Sequence, residues 1–385
     1  MTRYVKSLVT TIALLFGCAT MPQTPTPAAP PLQHGVDLHV HLTMHAGLPL
    51  VGDASLMHRA RSGADLLGAQ LSEDGYLRAG VRVIVAALWV PPKRVGQTGL
   101  GALSRQVDAL HDFALRHPTF GVVTSVEQAR RVIASGRIAV FIGLEGADVI
   151  ETPADVDRLF ALGVRVMSLA HFVDTPLLDA EDGQFGPLLS PFTDGTTKGV
   201  TPLGLEVTKR AIAWGMLIDV THASPLATEQ LLAVHQAMKA PLLATHVGSG
   251  MLEPRTLRDV HAKAIAELGG LIGVGVFRHP MLTPVPEADR FEGFVPGSCD
   301  ELIAHALHLA KVVGPEHVAL GSDLGAPITR ALPGGSCPNG VRGDWDLPAV
   351  FAGLEARGFS RESLDGSAAR FLSMLEQLEA RRSAR

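Results

Sequence analysis

The stretch Val36-Asp-Leu-His-Val-His-Leu-Thr-Met-His45 decides how the rest of the chain is read. If Val36 to Leu42 is a strand, alternate side chains share a face: Asp37, His39 and His41 point one way, and Leu38, Val40 and Leu42 the other. Two imidazoles on one face are half of a metal site. A His-x-His pair alone is also compatible with hydrogen-bonded core residues, so its meaning depends on partners further along.

Working outward, short β-rich apolar runs alternate with segments of helical period from His34 onward, the pattern of a parallel sheet with crossover helices. There are eight such runs: Gly35 to His41, Val81 to Trp89, Ile138 to Glu145, Val164 to His171, Met216 to His222, Pro241 to His246, Leu271 to Phe277 and Val318 to Asp323. Between them, Ala102 to Arg116, Ser125 to Ser135, Pro153 to Leu162, Leu205 to Trp214, Pro225 to Ala237, Leu257 to Leu268 and Cys299 to Val313 carry apolar residues near a 3.6 period. Eight strand-helix repeats predict an α/β protein of the (β/α)8 TIM-type barrel class. The alternative is a doubly wound open sheet, but no Gly-x-Gly-x-x-Gly turn follows the first strand.

The polar residues fall at one end of these runs. His39, His41, Glu145, His171, His222, His246 and Asp323 all lie at or near C-terminal strand ends, and in a barrel that end forms the active site, so all seven would converge on one mouth. The expectation is a metal site on the C-terminal face. Histidines with one central carboxylate suit zinc or a similar borderline metal, because imidazole supplies nitrogen ligands and the carboxylate can bridge two ions. Two such ions sharing a hydroxide and clamping a carbonyl oxygen make a hydrolase site. Long connections at Asp174 to Gly204, His279 to Gly297 and Ala326 to Asp346 are expected to wall that mouth.

The composition fits an ordinary globular protein: of 385 residues, 46% are hydrophobic and 18% charged. A net charge of -5 without a long basic run implies no nucleic-acid partner. At the N-terminus, Arg3 and Lys6 precede an apolar run from Leu8 to Phe16, an export signal too short to span a membrane as a mature helix. Leu15-Phe16-Gly17-Cys18 resembles the lipobox of bacterial lipoproteins, with Phe16 bulkier than that motif commonly carries. The expected organisation is therefore a signal peptide at 1–17, a lipidated Cys18 opening a proline-rich tether at 18–33, and the barrel at 34–380. A plain cleaved signal is the alternative. Lipidation implies an exported protein held at a membrane, facing the periplasm or the cell surface. Cys299 and Cys337 remain, fall near the same rim, and are expected to pair in an oxidising compartment.

With these residues in place, the chain after the tether resembles the membrane dipeptidase (renal dipeptidase, peptidase M19) family of amidohydrolase-type barrels. The likeness is sharpest in Thr201-Pro-Leu-Gly204 leading to Met216-Leu-Ile-Asp-Val-Thr-His222, in His261 to Val274, and in His317-Val-Ala-Leu-Gly-Ser-Asp323. Gly353 to Phe359 and Leu364 to Leu372 match its closing helices, with Ala368 where the family commonly has asparagine. The resemblance implies two zinc ions, other divalent metals being alternatives. His39 and His41 would hold one and His222 with His246 the other, with Glu145 between. It implies His171 as the group that polarises the substrate carbonyl, and Asp323 as the acid-base group that carries the proton to the leaving amine. Arg255 would receive the substrate's carboxylate, and Asp37 would orient a ligand from behind.

His41 departs from the pattern, since renal-type members carry His-x-Asp there. A neutral imidazole in place of a carboxylate leaves the paired metals one unit more positive, so an N-blocked substrate is expected to suit the site better than one with a free ammonium group. The expected function is metal-dependent hydrolysis of dipeptides, including those with D-residues, by a metal-activated hydroxide. The alternatives are an amidohydrolase acting on another small amide, an N-acyl amino acid or a lactone, and a non-catalytic metal-binding lipoprotein. The expected partners are a small dipeptide or amide, the membrane through its anchor, and a second copy in a homodimer.

Overall fold

The barrel closes through parallel pairing of strands that the sequence leaves buried on both faces. The structure, a computed structural model, describes residues 35–43, 71–72, 74–90, 99–171, 173–180, 198–249, 256–275, 285, 287, 290–296, 298–325 and 344–383. Its strands are β1 (Gly35–Val40), β2 (Val81–Trp89), β3 (Phe120–Val123), β4 (Ile138–Glu145), β5 (Val164–Ser168), β6 (Leu217–Asp219), β7 (Leu243–Ser249), β8 (Thr256–Leu257), β9 (Leu271–Val274) and β10 (Val318–Leu320). The pairing runs β1, β2, β4, β5, β6, β7, β9, β10 and back to β1, all parallel. This closed ring of eight is the (β/α)8 barrel expected from the eight runs.

Every residue of β4, including Glu145, is buried, as are all of β1 and β5. That explains why β4 reads as a near-unbroken apolar run up to Glu145, whereas β1 alternates because its second face, also buried, carries Asp37 and His39. Two strands were not anticipated. β3 pairs with the first half of β4, Ile138 to Phe141, and β5 takes over that edge from Ile142. β8 adds two residues beside the end of β7. Several expected strands are also shorter than their apolar runs: β5 stops at Ser168 and β6 at Asp219, so His171 and His222 stand on the loops beyond.

The helices are α1 (Gly75–Ala79), α2 (Leu100–Arg116), α3 (Val126–Ala134), α4 (Asp155–Ala161), α5 (Pro202–Trp214), α6 (Pro225–Met238), α7 (Asp259–Glu267), α8 (Cys299–Val313), α9 (Leu347–Glu355), α10 (Arg361–Asp365) and α11 (Ser367–Ser383). Their starts are written in local chemistry. Thr201 accepts from the amide of Gly204 at 3.1 Å, and Ser224 from that of Ala227 at 3.1 Å, each followed by a proline in the first helical turn. A hydroxyl cap with proline next is a favoured helix start. The Ser224 cap matters most here, because it fixes the chain two residues after His222.

The last helix, α11, closes the end of the barrel opposite the site. Ser367 Oγ accepts from the amide of Val36 at 3.1 Å at the start of β1, and Phe371 meets Phe141 edge-on at 5.5 Å. Glu376 takes Arg130 of α3 in a two-pronged ion pair at 2.8 Å. Among the described residues no helix is long and apolar enough to cross a membrane. Cys18 lies outside the described residues. Cys299 is disulfide-bonded, and Cys337, its expected partner, also lies outside the described residues.

Candidate metal centre

Glu145, the last residue of β4, stands at the middle of the mouth. Its Oε1 lies 3.5 Å from the Nε2 atoms of His39, His171 and His246, and 3.4 Å from that of His222. Its Oε2 lies 3.5 Å from His41 Nε2. Asp323 Oδ1 completes the ring, 3.1 Å from His41 Nε2 and 3.9 Å from His39 Nε2. All seven residues expected at the strand ends therefore come together. Arg255 lies outside the described residues.

The backbone that presents these groups is shaped for the purpose. Asp323 donates its amide to the His39 carbonyl at 2.9 Å, and His41 donates to the Leu324 carbonyl at 2.8 Å, which extends the β1 and β10 pairing to the rim. His222 (φ 68°) and Asp323 (φ 53°) both adopt left-handed backbone. Such a conformation costs non-glycine residues on the order of 1–3 kcal/mol and gathers at functional sites. Gly146 answers a different need. A Cβ there would stand 3.0 Å from that of His171, so glycine lets the two chains pass closely behind Glu145. The Gly146 amide is held by Ser168 Oγ at 3.0 Å.

Asp37 sits one layer deeper than its expected role requires. It accepts from the amides of Ser322 (2.8 Å) and His39 (3.2 Å) and from the Tyr76 hydroxyl (2.8 Å). It thus fixes the backbone that carries His39 and Asp323, while the imidazole of His39 is held by another group. Two residues that sequence reasoning passed over supply that hold. Thr245 Oγ1 lies 3.2 Å from His39 Nδ1 and 3.0 Å from His246 Nδ1, and donates to Asp219 Oδ2 at 2.6 Å. The signal available for Thr245 was the repetition of Thr221-His222 and Thr245-His246 at two successive strand ends.

The protonation states follow from burial and from Glu145. Burial would raise the Glu145 carboxyl, but the facing imidazoles, those of His171 and His39 foremost, outweigh it and hold it well below the ordinary carboxylate range. Burial pulls His171 down to about 3 against the attraction of Glu145. It also holds His246 well below an ordinary imidazole, helped by His39 and His222. His39 goes the other way: burial opposes protonation, and Glu145 overcomes it. An ionised Glu145 and a neutral His246 are in the state that a divalent cation requires of its ligands.

The donor set fits a pair of cations. His39, His41 and Glu145 can present one ligand atom each within 4.8 Å of one another, and so can Glu145, His222 and His246. His39 Nε2 and Glu145 Oε2 are buried with no hydrogen-bond partner, although buried polar atoms are nearly always satisfied. His222 Nε2 and His246 Nε2 approach to 3.1 Å. Two lone pairs at that distance repel unless a proton or a cation lies between them. Nitrogen donors with a carboxylate in the middle match zinc and its neighbours.

Residues 36–383 match the model of the membrane dipeptidase family, peptidase family M19. Among curated proteins, the chain is 25% identical to the dipeptidase verJ of Clonostachys rogersoniana, over 69% of this chain and 62% of that protein. It is 26% identical to the dipeptidase ataJ of Aspergillus terreus, over 68% and 63%. The chain thus spans about three-fifths of the length of the curated relatives it matches. Among solved structures it is similar to the probable dipeptidase PvdM of Pseudomonas aeruginosa, with a TM-score of 0.68 at 19% identity over 91% of this chain and 96% of that one. It is also similar to a metallo peptidase of Rhodobacter sphaeroides solved with a phosphinate mimic of the dipeptide L-Ala-D-Ala, with a TM-score of 0.67 at 19% identity over 89% and 99%. At such identities these likenesses establish the fold.

Proposed function

The chain belongs to the membrane dipeptidase family, and from that premise we propose that it is a metal-dependent hydrolase of dipeptides and dipeptide-like amides. The observation that carries the proposal is Glu145, with five histidine Nε2 atoms at 3.4–3.5 Å from its two oxygens. His39, His41 and Glu145 would hold one cation, and Glu145, His222 and His246 the second. When bound, two such ions, zinc by the donor set, supply Lewis acidity that makes a water more acidic and draws charge from a carbonyl oxygen.

The side chains do the rest. His171, neutral at physiological pH and more open to solvent than any other site group except Asp323, presents Nε2–H to the scissile carbonyl and steadies charge that develops on its oxygen. Asp323 stands at the open side of the cluster, takes the proton of the attacking water and passes it to the departing nitrogen. Without that transfer the amine would have to leave as an anion. The solved relative with a phosphinate dipeptide mimic supports a dipeptide substrate, including one with a D-residue. Arg255 is proposed to take the substrate's terminal carboxylate, on the family resemblance alone.

His41 favours a narrower choice of substrate. It supplies no charge where a renal-type site supplies a carboxylate, so an N-acylated dipeptide or N-acyl amino acid suits this mouth better than a free ammonium group. The Cys18 lipid anchor, export to the periplasmic or cell-surface side, pairing of Cys299 with Cys337 and dimer formation are proposed on sequence pattern. The test is a panel of L,L and L,D dipeptides, free and N-blocked, assayed with and without chelator. Chelator-sensitive hydrolysis led by the N-blocked forms is expected. Clear preference for the free forms would overturn the His41 reading, and hydrolysis of none, with no metal taken up, would overturn the enzyme.

A further inference from the structure

We propose that Asp219 and Thr245 form a positioning pair that sets the tautomer of one histidine in each half of the metal centre, His39 and His246. The argument is a count of protons. Asp219 Oδ1 receives the amides of Thr221 (2.9 Å) and Thr245 (2.8 Å) and the Thr221 hydroxyl (2.7 Å), an oxygen wholly committed to accepting. Its Oδ2 faces Thr245 Oγ1 at 2.6 Å. A hydroxyl has one proton and two lone pairs. Thr245 gives its proton to Asp219, and the two lone pairs that remain meet His39 Nδ1 at 3.2 Å and His246 Nδ1 at 3.0 Å. Both rings must then carry hydrogen on Nδ1 and present bare Nε2.

The Nε2 atoms so exposed are the ones that lie 3.5 Å from Glu145 Oε1. One hydroxyl therefore prepares a ligand for each of the two metal positions. The scaffold is built to keep it there. A Cβ on Gly273 of β9 would fall 1.9 Å from the Thr245 carbonyl oxygen, and one on Gly321, just past β10, would fall 1.7 Å from it, so glycine at both positions lets the backbone close on Thr245. Thr221 Oγ1 is itself fixed, accepting from the Thr245 amide at 2.9 Å while donating to Asp219. Partners behind metal-binding histidines fix ring orientation and proton position and are worth about 10- to 100-fold in metal affinity. Here one such partner serves two rings on different strands.

The proposal rests on the cluster being a metal centre, and the test separates the two. In metal-free protein labelled with 15N-histidine, at alkaline pH, the His39 and His246 rings are expected to show Nδ1–H and bare Nε2, assigned from single His→Gln variants. Thr245→Val should release both rings to mixed tautomers and weaken uptake of both zinc equivalents, each on the order of 10- to 100-fold, and Thr245→Ser should restore both. Asp219→Asn should act on one equivalent only, because its amide would donate to Thr245 and turn that hydroxyl's proton toward one imidazole. Nε2–H on either ring of the wild-type protein overturns the proposal, even if Thr245→Val fails to fold. So does a Thr245→Val protein with both tautomers and both affinities intact, or an Asp219→Asn protein with both affinities unchanged. Wild-type protein that takes up no zinc counts against the metal centre instead.

Discussion

At His41 a single side chain changes the charge of the site. Its Nε2 lies 3.1 Å from Asp323 and 3.5 Å from Glu145, inside the ligand ring. A unit charge several ångströms from a substrate ammonium, at an effective dielectric near 20, is worth a few kcal/mol before solvent screening. His41→Asp is therefore expected to raise kcat/KM for free dipeptides relative to their N-acyl analogues by about tenfold or more. An unchanged ratio would show that position 41 does not set the preference. Glu145 makes a stricter case. Glu145→Gln keeps the shape but puts an amide among imidazole nitrogens that face a carboxylate, so hydrolysis should fall to background and metal analysis should find one equivalent fewer; full occupancy with activity retained would refute the bridging role. Both residues were legible as members of a set of seven polar residues falling at the same end of the strand runs, where either alone would read as structural. Thr245 and Asp219 were not: threonine is an ordinary strand residue and aspartate an ordinary turn residue, and the pair gains its meaning from the Thr245 distances to His39, His246 and Asp219.

Elements were legible where a run was long enough to have a period. β2 and β4, nine and eight residues, match their expected bounds. β3 has four residues and β8 two, too few to separate from loop, and both were missed. The segment around Asp344 was likewise read only as a loop, yet it holds α1 in place. Asp344 is fully buried and accepts from the Ser72 amide at 2.9 Å and from its hydroxyl at 3.1 Å. A Cβ on Gly75 would fall 2.2 Å from its carboxyl group, so glycine opens α1 to admit it. Burial pushes Asp344 from 3.8 up to about 7 against the pull of those Ser72 bonds. The folded state thus keeps a proton that the unfolded chain releases. Stability is then greatest below the unfolded value and is lost as pH rises to the folded one, becoming level above it. Asp344→Asn retains an acceptor for Ser72 and removes the titration. It should stabilise the protein by on the order of 2–3 kcal/mol more at about pH 8 than at about pH 5, read from urea unfolding. Equal effects at the two pH values would mean that Asp344 ionises as freely in the fold as outside it.

For the whole molecule, the eightfold rhythm of strands gave the barrel, and the side on which the polar residues fell gave the mouth. The N-terminal segment, Arg255 and Cys337 lie outside the described residues. The mouth of the barrel concentrates buried polar groups in one place, and cations held there would tie folding to metal. Cations that bind only the folded state add stability by mass action, about 2.7 kcal/mol per site at a free concentration near 100 times Kd. Removing them should lower Tm by several degrees. The size of that drop should depend on pH. Protons compete with metal first at His39, whose pKa Glu145 holds above its ordinary 6.5 despite burial. In metal-free protein, the protonated His39 paired with Glu145 stabilises the fold fully below that ordinary value, and the contribution is lost as pH rises through the raised one. In loaded protein His39 must be deprotonated, so acidification weakens the metal while it strengthens the metal-free fold. The difference in Tm between zinc-loaded and chelated protein is therefore expected to be large at alkaline pH and to shrink as pH falls toward 6.5. Paired scanning calorimetry across that range measures it. A difference that stays constant with pH would place the cations away from His39.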